Sequence, residues 1–261
     1  IKNYGFFKNK AKIKNLIQII KKFSNKIDLV DTAPSYSLAE SYIGNYVNKK
    51  TKVITKISKS YSNNTLNQNL KINRSFKESL KKLKKKKIYA ILFHHIDDLN
   101  NIRSKKIRSN LDYLKKTFVR KIGFSCYNIY DIERYLKFYK FDIIQFPLNI
   151  FDISKKKIQF LKGIKKKYKV ELHARSVFLQ GALLKKSFSH EKKLRIIEKN
   201  IKNLEKISSK YKISKYDFCL SSINSLKIID YAIVGLSNLN EYENLKNFKK
   251  KKIQYEDLYS L

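Results

Sequence analysis

Asp31, Tyr36, Lys56 and His94 form a candidate set for proton transfer, because each residue type can carry or steer a proton. A lysine ammonium beside a tyrosine hydroxyl favours the phenolate and lowers a tyrosine pKa from its usual value of ~10. A carboxylate holds such a lysine in place and charged, and a neutral histidine donates to a substrate oxygen. The four residues therefore predict a general acid that protonates a developing alkoxide.

Each of the four residues also has a purely structural interpretation when it is taken alone. A lysine at a strand end is commonly a solvated terminus, and an aspartate before Thr-Ala commonly caps a turn. A histidine that follows an apolar segment is commonly a core residue, and Tyr36 is one of 18 tyrosines. The functional interpretation rests on the order and spacing of the four residues together.

The elements that must position these residues are short apolar segments alternating with longer amphipathic ones. Segments of about four to eight residues rich in Ile, Val, Leu and Phe are typical of parallel strands buried on both faces. The predicted strands are Lys26–Thr32, Lys52–Lys56, Ile88–His94, Val119–Ser125, Asp142–Pro147, Lys169–Arg175 and Asp230–Gly235. The predicted helices are 11–24, 37–49, 66–84, 99–116, 129–139, 154–168, 190–211, 214–228 and 239–249.

This alternation predicts an α/β protein with a parallel sheet, either doubly wound and open or closed as a (β/α)8 barrel. No G-x-G-x-x-G follows the first predicted strand, although a Rossmann dinucleotide fold is expected to carry one. Polar residues also gather at the carboxyl ends of the strands, where barrel enzymes place their catalytic groups. These residues are Asp31, Lys56, His94, Ser125, Gln145 and Arg175. Both observations favour a TIM barrel, formed as a single domain over residues 1–261.

The amino-acid composition limits the classes of partner that the chain can be expected to bind. Its 261 residues have a formal net charge of +38, from 59 Lys and Arg against 21 Asp and Glu. Nucleic-acid surfaces rely on arginine for bidentate contacts, whereas the cations here are overwhelmingly lysine. Because Lys, Asn, Ile and Tyr share AT-rich codons, a mutational bias explains the charge better than a nucleic-acid partner does. A hydrophobic share of 43% excludes a wholly disordered chain.

Targeting features point to a cytoplasmic protein. The sequence has no run of about 20 uncharged apolar residues, so no membrane span is expected, and no secretory leader opens it. Cys126 and Cys219 lie far apart without metal-ligand spacing. Residue 1 is Ile and Met is absent. We therefore expect that the natural N-terminus, and with it the first barrel strand, lies upstream of this chain, which has seven predicted strands.

The segment 31–44, DTAPSYSLAESYIG, resembles the aldo-keto reductase signature D-T-A-x-x-Y-G-x-x-E-x-x-[IL]-G. The resemblance covers essentially the whole chain, and its motifs occur in the order of the family. The further motifs are VITK at 53–56, SLKKL at 79–83, ILFH at 91–94, IGFS at 122–125, IQFPLN at 144–149 and IVGLSN at 233–238. The ordered set is more specific than any one motif.

The resemblance implies an eight-stranded barrel that binds a nicotinamide cofactor, usually NADP(H), with NAD(H) not excluded. It implies an enzyme that reduces a small-molecule aldehyde or ketone, sugar-derived carbonyls among them, by hydride transfer. Matched by position, Tyr36 is the general acid, Lys56 and Asp31 tune it, and His94 orients the carbonyl.

The resemblance also implies a set of cofactor contacts at the strand ends. It assigns Ser125 and Gln145 to the nicotinamide carboxamide, Arg175 to the nicotinamide face, Ser176, Phe178 and Gly181 to the pyrophosphate, and Gly235, Ser237 and Asn238 to the adenosine phosphate end. The last three residues stand at a strand-to-helix turn, which suits an anion.

Four positions depart from the family pattern. Ser37 replaces the signature glycine, and Cys126 stands where many members have an asparagine beside the serine of the IGFS motif. Arg175 stands where many members stack an aromatic ring on the nicotinamide, a role that a planar guanidinium can also fill. Glu241 lies near the position at which NADPH-specific members have a basic residue, so the preference between NADPH and NADH is open.

Two alternative functions are weighed against this one. The altered cofactor contacts also fit a barrel of the same family that has lost catalysis and serves as a cofactor-sensing or partner-binding subunit. A metal-dependent hydrolase using His94, His95, Asp97 and His173 is disfavoured, since neighbouring residues of a strand point to opposite sides.

Overall fold

The computed structural model describes residues 13–24, 27–185 and 198–259 of the chain. Parts of three predicted elements lie outside these residues: 11–12 of the first helix, 26 of the first strand and 190–197 of the seventh helix. The described strands are β1 (Leu29–Asp31), β2 (Lys52–Ile57), β3 (Ile88–Phe93), β4 (Val119–Ser125), β5 (Ile143–Pro147), β6 (Glu171–Arg175) and β7 (Tyr231–Ala232).

Helices separate the strands along the chain, as the sequence predicts. The α-helices among the described residues are α1 (Ile13–Phe23), α2 (Ala39–Tyr46), α3 (Thr65–Leu83), α4 (Lys105–Thr117), α5 (Glu133–Leu136), α6 (Lys155–Tyr168), α7 (Glu198–Lys210), α8 (Lys215–Ser225), α9 (Leu239–Lys246) and α10 (Tyr255–Tyr259). Short 3₁₀ turns occupy Ile96–Leu99, Ile129–Asp131, Ile150–Asp152 and Leu179–Leu184. No helix in the described part of the chain is both long and apolar enough to span a membrane.

The strands form a parallel sheet whose order, β1 to β7, is their order along the chain. Sequential parallel strands joined through helices are the arrangement that the alternating pattern predicts. The chain divides into two compact units. The first holds the described residues up to Phe146 together with Tyr168–Glu171, and the second holds Pro147–Lys167 and the described residues from Leu172 onward.

Helix α3 shows how local sequence sets the elements of the first unit. The side chain of Asn64 caps its first turn by accepting from the amides of Leu66 and Asn67. Ile72, Phe76 and Leu83 recur at helical spacing on its buried face, which packs into the core. The helix stops at Lys84, which takes a left-handed conformation with φ of 52°.

Two glycines permit close backbone approaches in the first unit. A Cβ on Gly44 would lie 2.4 Å from the carbonyl oxygen of Lys82, so α2 and α3 come this close only because residue 44 has no side chain. A Cβ on Gly123 would lie 2.1 Å from the carbonyl oxygen of Ile143, in the neighbouring strand. Gly44 and Gly123 are the glycines of the DTA and IGFS motifs, and their physical role is this packing.

Candidate active site

The strand register brings the predicted polar residues of the first unit to one end of the sheet. Lys56 pairs with Leu92, and Leu92 pairs with Gly123. Residues two positions apart along a strand point to the same side. His94, just past the end of β3, therefore faces the same side as Leu92. Ser125, which pairs with Gln145, faces the same side as Gly123.

The ion pair between Lys56 and Asp31 is the centre of this cluster. The ammonium Nζ of Lys56 donates to Oδ2 of Asp31 at 2.6 Å and to the carbonyl oxygen of Thr32 at 3.0 Å. The side chain of Lys56 is 1% exposed and that of Asp31 is 10% exposed. A charge this deeply buried needs an opposite charge and further hydrogen bonds, and the pair supplies both.

The Tyr36 ring lies over this ion pair. The turn after β1 carries it, with the amide of Tyr36 donating to the carbonyl oxygen of Ala33 at 3.0 Å. The Lys56 Nζ is 5.4 Å from the centroid of the Tyr36 ring. The imidazole of His94 meets the same ring edge-on, with centroids 6.2 Å apart. The structure therefore brings together all four residues that the sequence singles out for proton transfer.

The side chains of this cluster differ in their exposure to solvent. Tyr36 and His94 are half-buried, whereas Lys56 lies beneath them, shielded from solvent. The two groups that could touch a small molecule are thus accessible, and the charged pair that could influence them is held in a low-dielectric setting.

Gln145 joins the same cluster by a contact that the sequence does not foresee. Its side-chain Nε2 donates to Oδ1 of Asp31 at 2.9 Å, and its side chain is buried. Both oxygens of Asp31 therefore accept hydrogen bonds, one from Gln145 and one from Lys56. Ser125 is buried beside Gln145, and the amide of Cys126 donates to the Gln145 carbonyl oxygen at 2.9 Å.

Two further buried carboxyls support the loops around the cluster. Oε1 of Glu40 accepts from the Thr55 hydroxyl at 2.6 Å, which fixes α2 to the strand that carries Lys56. Oδ1 of Asp98 accepts from the amides of Ser60 and Tyr61 at 2.8 and 2.6 Å, which ties the loop after β2 to the turn after β3. Burial raises the pKa of Asp98, although these amide donors oppose the shift. Ser41 follows Glu40 and Asp97 precedes Asp98, so neither carboxyl has apolar neighbours on both sides in the sequence that would mark it as buried.

In the second unit, the segment after β6 has an unusual backbone. Ser176, Leu179 and Gln180 have φ of 59°, 47° and 55°, and Gly181 has φ of 92°. A run of left-handed residues is costly for side chains other than glycine, and such geometry is characteristic of functional loops. Phe178, at the centre of this segment, stacks on Tyr216 with ring centroids 4.7 Å apart.

Arg175 and the second predicted phosphate turn also lie in the second unit. Arg175 ends β6, and its Nη1 is 3.4 Å from the Ser176 hydroxyl. Gly235 is exposed, and Ser237 and Asn238 precede α9, whose first turn Asn238 caps by accepting from the amide of Glu241 at 2.9 Å.

The metal hypothesis needs several His, Asp or Glu side chains around one ion. Among the described residues, no group of three or more His, Cys, Asp or Glu side chains could hold a metal ion. His95 is exposed, and His173 is fully buried with its ring edge-on to Tyr231 at 4.9 Å.

Comparison with known proteins shows the family to which this chain belongs. The model of the aldo/keto reductase family matches residues 8–260. The chain belongs to the aldo/keto reductase family. No curated protein sequence matches this reductase significantly.

Solved structures of the same family resemble this aldo/keto reductase in fold. A glycerol dehydrogenase from Gluconobacter oxydans has a TM-score of 0.75 at 18% identity, over 98% of this chain and 86% of the other. An aldo-keto reductase from Bacillus halodurans, in its holo form, has a TM-score of 0.71 at 16% identity, over 98% and 88%. An aldose reductase from Schistosoma japonicum has a TM-score of 0.70 at 14% identity, over 96% and 84%. These similarities and the strand order confirm the predicted (β/α)8 class. Membership of the aldo/keto reductase family identifies this chain as an oxidoreductase.

Proposed function

We propose that this aldo/keto reductase reduces a small aldehyde or ketone at the Tyr36 hydroxyl, using a nicotinamide cofactor as the hydride donor. The observation that carries the proposal is the buried Lys56 ammonium, held by Asp31 at 2.6 Å and lying 5.4 Å from the Tyr36 ring centroid. A buried cation next to an accessible phenol has no evident structural purpose, because a buried charge costs stability.

The residues of the cluster divide the proton chemistry between them. The Tyr36 hydroxyl donates its proton to the carbonyl oxygen of the substrate as negative charge develops there. The Lys56 ammonium stabilises the phenolate that Tyr36 becomes, and Asp31 holds that ammonium in position by accepting a hydrogen bond from it. His94, edge-on to Tyr36, donates to the same substrate oxygen and thereby orients the carbonyl.

The nicotinamide cofactor supplies the hydride, and the protein supplies its position and electrostatic environment. In the first unit, the buried Ser125 and Gln145 suit the carboxamide, and Gln145 also contacts Asp31. In the second unit, Arg175 suits the nicotinamide face, and the left-handed segment with Ser176, Phe178 and Gly181 suits a pyrophosphate, since such backbones can turn amides toward an anion. The Gly235–Asn238 turn suits the adenosine end. By itself the family resemblance favours NADP(H), but Glu241 stands near the position of the basic residue of NADPH-specific members, so the choice between NADP(H) and NAD(H) depends on the residues of this turn.

A direct test compares the protein with its Tyr36→Phe variant. Oxidation of NADPH and NADH is followed with aldehydes, ketones and sugars. Glyceraldehyde and dihydroxyacetone belong in this panel, because one similar structure is a glycerol dehydrogenase. We expect Tyr36→Phe to lower kcat by about 100-fold or more, the scale of general acid catalysis. Tyr113→Phe, at an exposed tyrosine of α4, is the matched control and should retain full activity.

Equal turnover by the protein and by Tyr36→Phe would refute the role of Tyr36. Tight dinucleotide binding without turnover on any carbonyl would instead favour the non-catalytic, cofactor-sensing or partner-binding alternative.

A further inference from the structure

The carboxylate of Glu241 accepts hydrogen bonds from the turn that precedes α9. Its Oε2 accepts from the backbone amide of Ser237 at 2.6 Å, and the Ser237 hydroxyl lies 2.9 Å from both carboxylate oxygens. Asn238 completes the turn, with its Oδ1 accepting from the Glu241 amide. A negative charge in the first turn of a helix is favourable, so Glu241 is a stable occupant of this position.

The sequence around this turn lacks basic residues. In a chain with 59 Lys and Arg, the stretch from Ile228 to Leu245 contains none. The nearest lysine in α9 is Lys246 in its last turn, and its Nζ is 3.4 Å from a Glu243 oxygen. The sequence adjoining the Ser237 turn therefore supplies no cation of its own.

Glu241 also acts on the aromatic pair of the second unit. Burial raises the pKa of Tyr216, and the carboxylates of Asp217 and Glu241 raise it further. Tyr216 stacks on Phe178, which belongs to the left-handed segment after β6. Glu241 is thus close enough for its charge to act on a tyrosine that contacts that segment.

This arrangement fits a ribose hydroxyl and does not fit a ribose phosphate. The Ser237 amide and hydroxyl are the donors that an anion at this turn would use, and a carboxylate already accepts from both. A 2′-phosphate would lose these donors and meet a like charge. A 2′-hydroxyl can instead donate to a carboxylate, which is how acidic residues select NAD in other dinucleotide sites.

We propose that Glu241 makes this reductase select NAD(H) over NADP(H). The inference rests on the proposed function, because it requires the adenosine end of a dinucleotide to lie at the Ser237 turn. Repulsion between a 2′-phosphate and a carboxylate about 5 Å away near a protein surface is large enough to weaken binding about tenfold or more. The dissociation constant for NADH should therefore be about tenfold or more below that for NADPH.

Binding is measured without turnover, from the fluorescence of the reduced nicotinamide during titration of NADH or NADPH into the whole protein. The chain contains no tryptophan, so tryptophan emission does not interfere. Three proteins are compared: the wild type, Glu241→Gln and Glu241→Lys. Glu243→Gln is the control, because it removes the same charge from the same helix at a residue that pairs with Lys246. Displacement by ADP and by 2′,5′-ADP isolates the contribution of the 2′-phosphate.

We expect Glu241→Gln to reduce the NADH preference about tenfold, Glu241→Lys to reverse it, and Glu243→Gln to leave it unchanged. Tighter binding of NADPH by the wild type, or an unchanged preference in Glu241→Gln, would overturn the selection by Glu241 and leave the reductase function standing. NADH binding with the expected preference but no carbonyl reduction would overturn the reductase function alone. Binding of neither dinucleotide would overturn both.

Discussion

Gln145 donates its side-chain amide to Oδ1 of Asp31 at 2.9 Å, across 114 positions of sequence. Lys56 occupies the other oxygen of the same carboxylate. Asp31 is therefore fixed from two sides, by an amide from β5 and an ammonium from β2. This rigidity matters for the proposed chemistry, because Lys56 can influence Tyr36 only while it is held in place.

Gln145→Met tests this contact. The thioether has a similar length but no N–H, so Oδ1 of Asp31 loses its donor. A hydrogen bond to a charged group contributes about 1.5–3 kcal/mol, and we expect the free energy of unfolding in urea to fall by that amount. The turnover number for carbonyl reduction should fall as well. Stability equal to that of the wild type would show that the Gln145–Asp31 contact contributes nothing.

Much of the architecture is predictable because parallel strands buried on both faces leave a strong apolar pattern. The predicted bounds of β4, Val119–Ser125, match the structure. The first and last strands are shorter than predicted, Leu29–Asp31 and Tyr231–Ala232, because a strand extends only where its neighbour pairs with it. The predicted helix 129–139 is instead a 3₁₀ turn followed by the four-residue α5.

The candidate site is predictable only in part, for a related reason. The order of Asp31, Tyr36, Lys56 and His94 along successive strands predicts their proximity, and the register provides it. The Gln145–Asp31 contact joins strands that are distant in sequence, and no local pattern encodes it. Short-range propensity likewise gives no sign of the buried Asp98 contacts, which depend on where two loops meet.

We expect a large coupling energy between Lys56 and Asp31. Lys56→Met leaves the Asp31 carboxylate buried without its cation, and we expect a loss of about 3–5 kcal/mol in the free energy of unfolding. Adding Asp31→Asn to this variant should recover part of the loss, because the uncompensated charge is gone. Lys202→Met, which breaks the exposed pair with Glu198 in α7, is the control and should cost less than about 1 kcal/mol. Additive effects of Lys56→Met and Asp31→Asn would contradict a coupled pair.

We expect that replacing Ser37 with glycine stabilises the protein. Its φ of 54° lies in the left-handed region, where a residue with a side chain is strained by about 1–2 kcal/mol. The family signature has glycine at this position, and the backbone conformation gives the physical reason. Allowing for the greater freedom of glycine in the unfolded chain, Ser37→Gly should raise the free energy of unfolding by about 0.5–1 kcal/mol. Ser37→Val should lower it, since a β-branched residue fits this conformation worst. A loss of stability in Ser37→Gly would disprove strain at this turn.

Asp98 predicts a specific pH dependence of stability. Burial raises its pKa from the ordinary value of 3.8, so the folded state favours the protonated carboxyl. The corresponding stability is present at low pH and is lost as the pH rises through the folded-state pKa. Asp98→Asn keeps an oxygen for the Ser60 and Tyr61 amides but cannot ionise.

The free energy of unfolding of Asp98→Asn, minus that of the wild type, should therefore increase as the pH rises from about 4 to 8. Urea denaturation at several pH values measures this difference directly. Asp97→Asn removes the same charge at the exposed neighbour and serves as the control. A difference that is flat across this range would mean that the Asp98 carboxyl ionises in the folded protein as readily as in water.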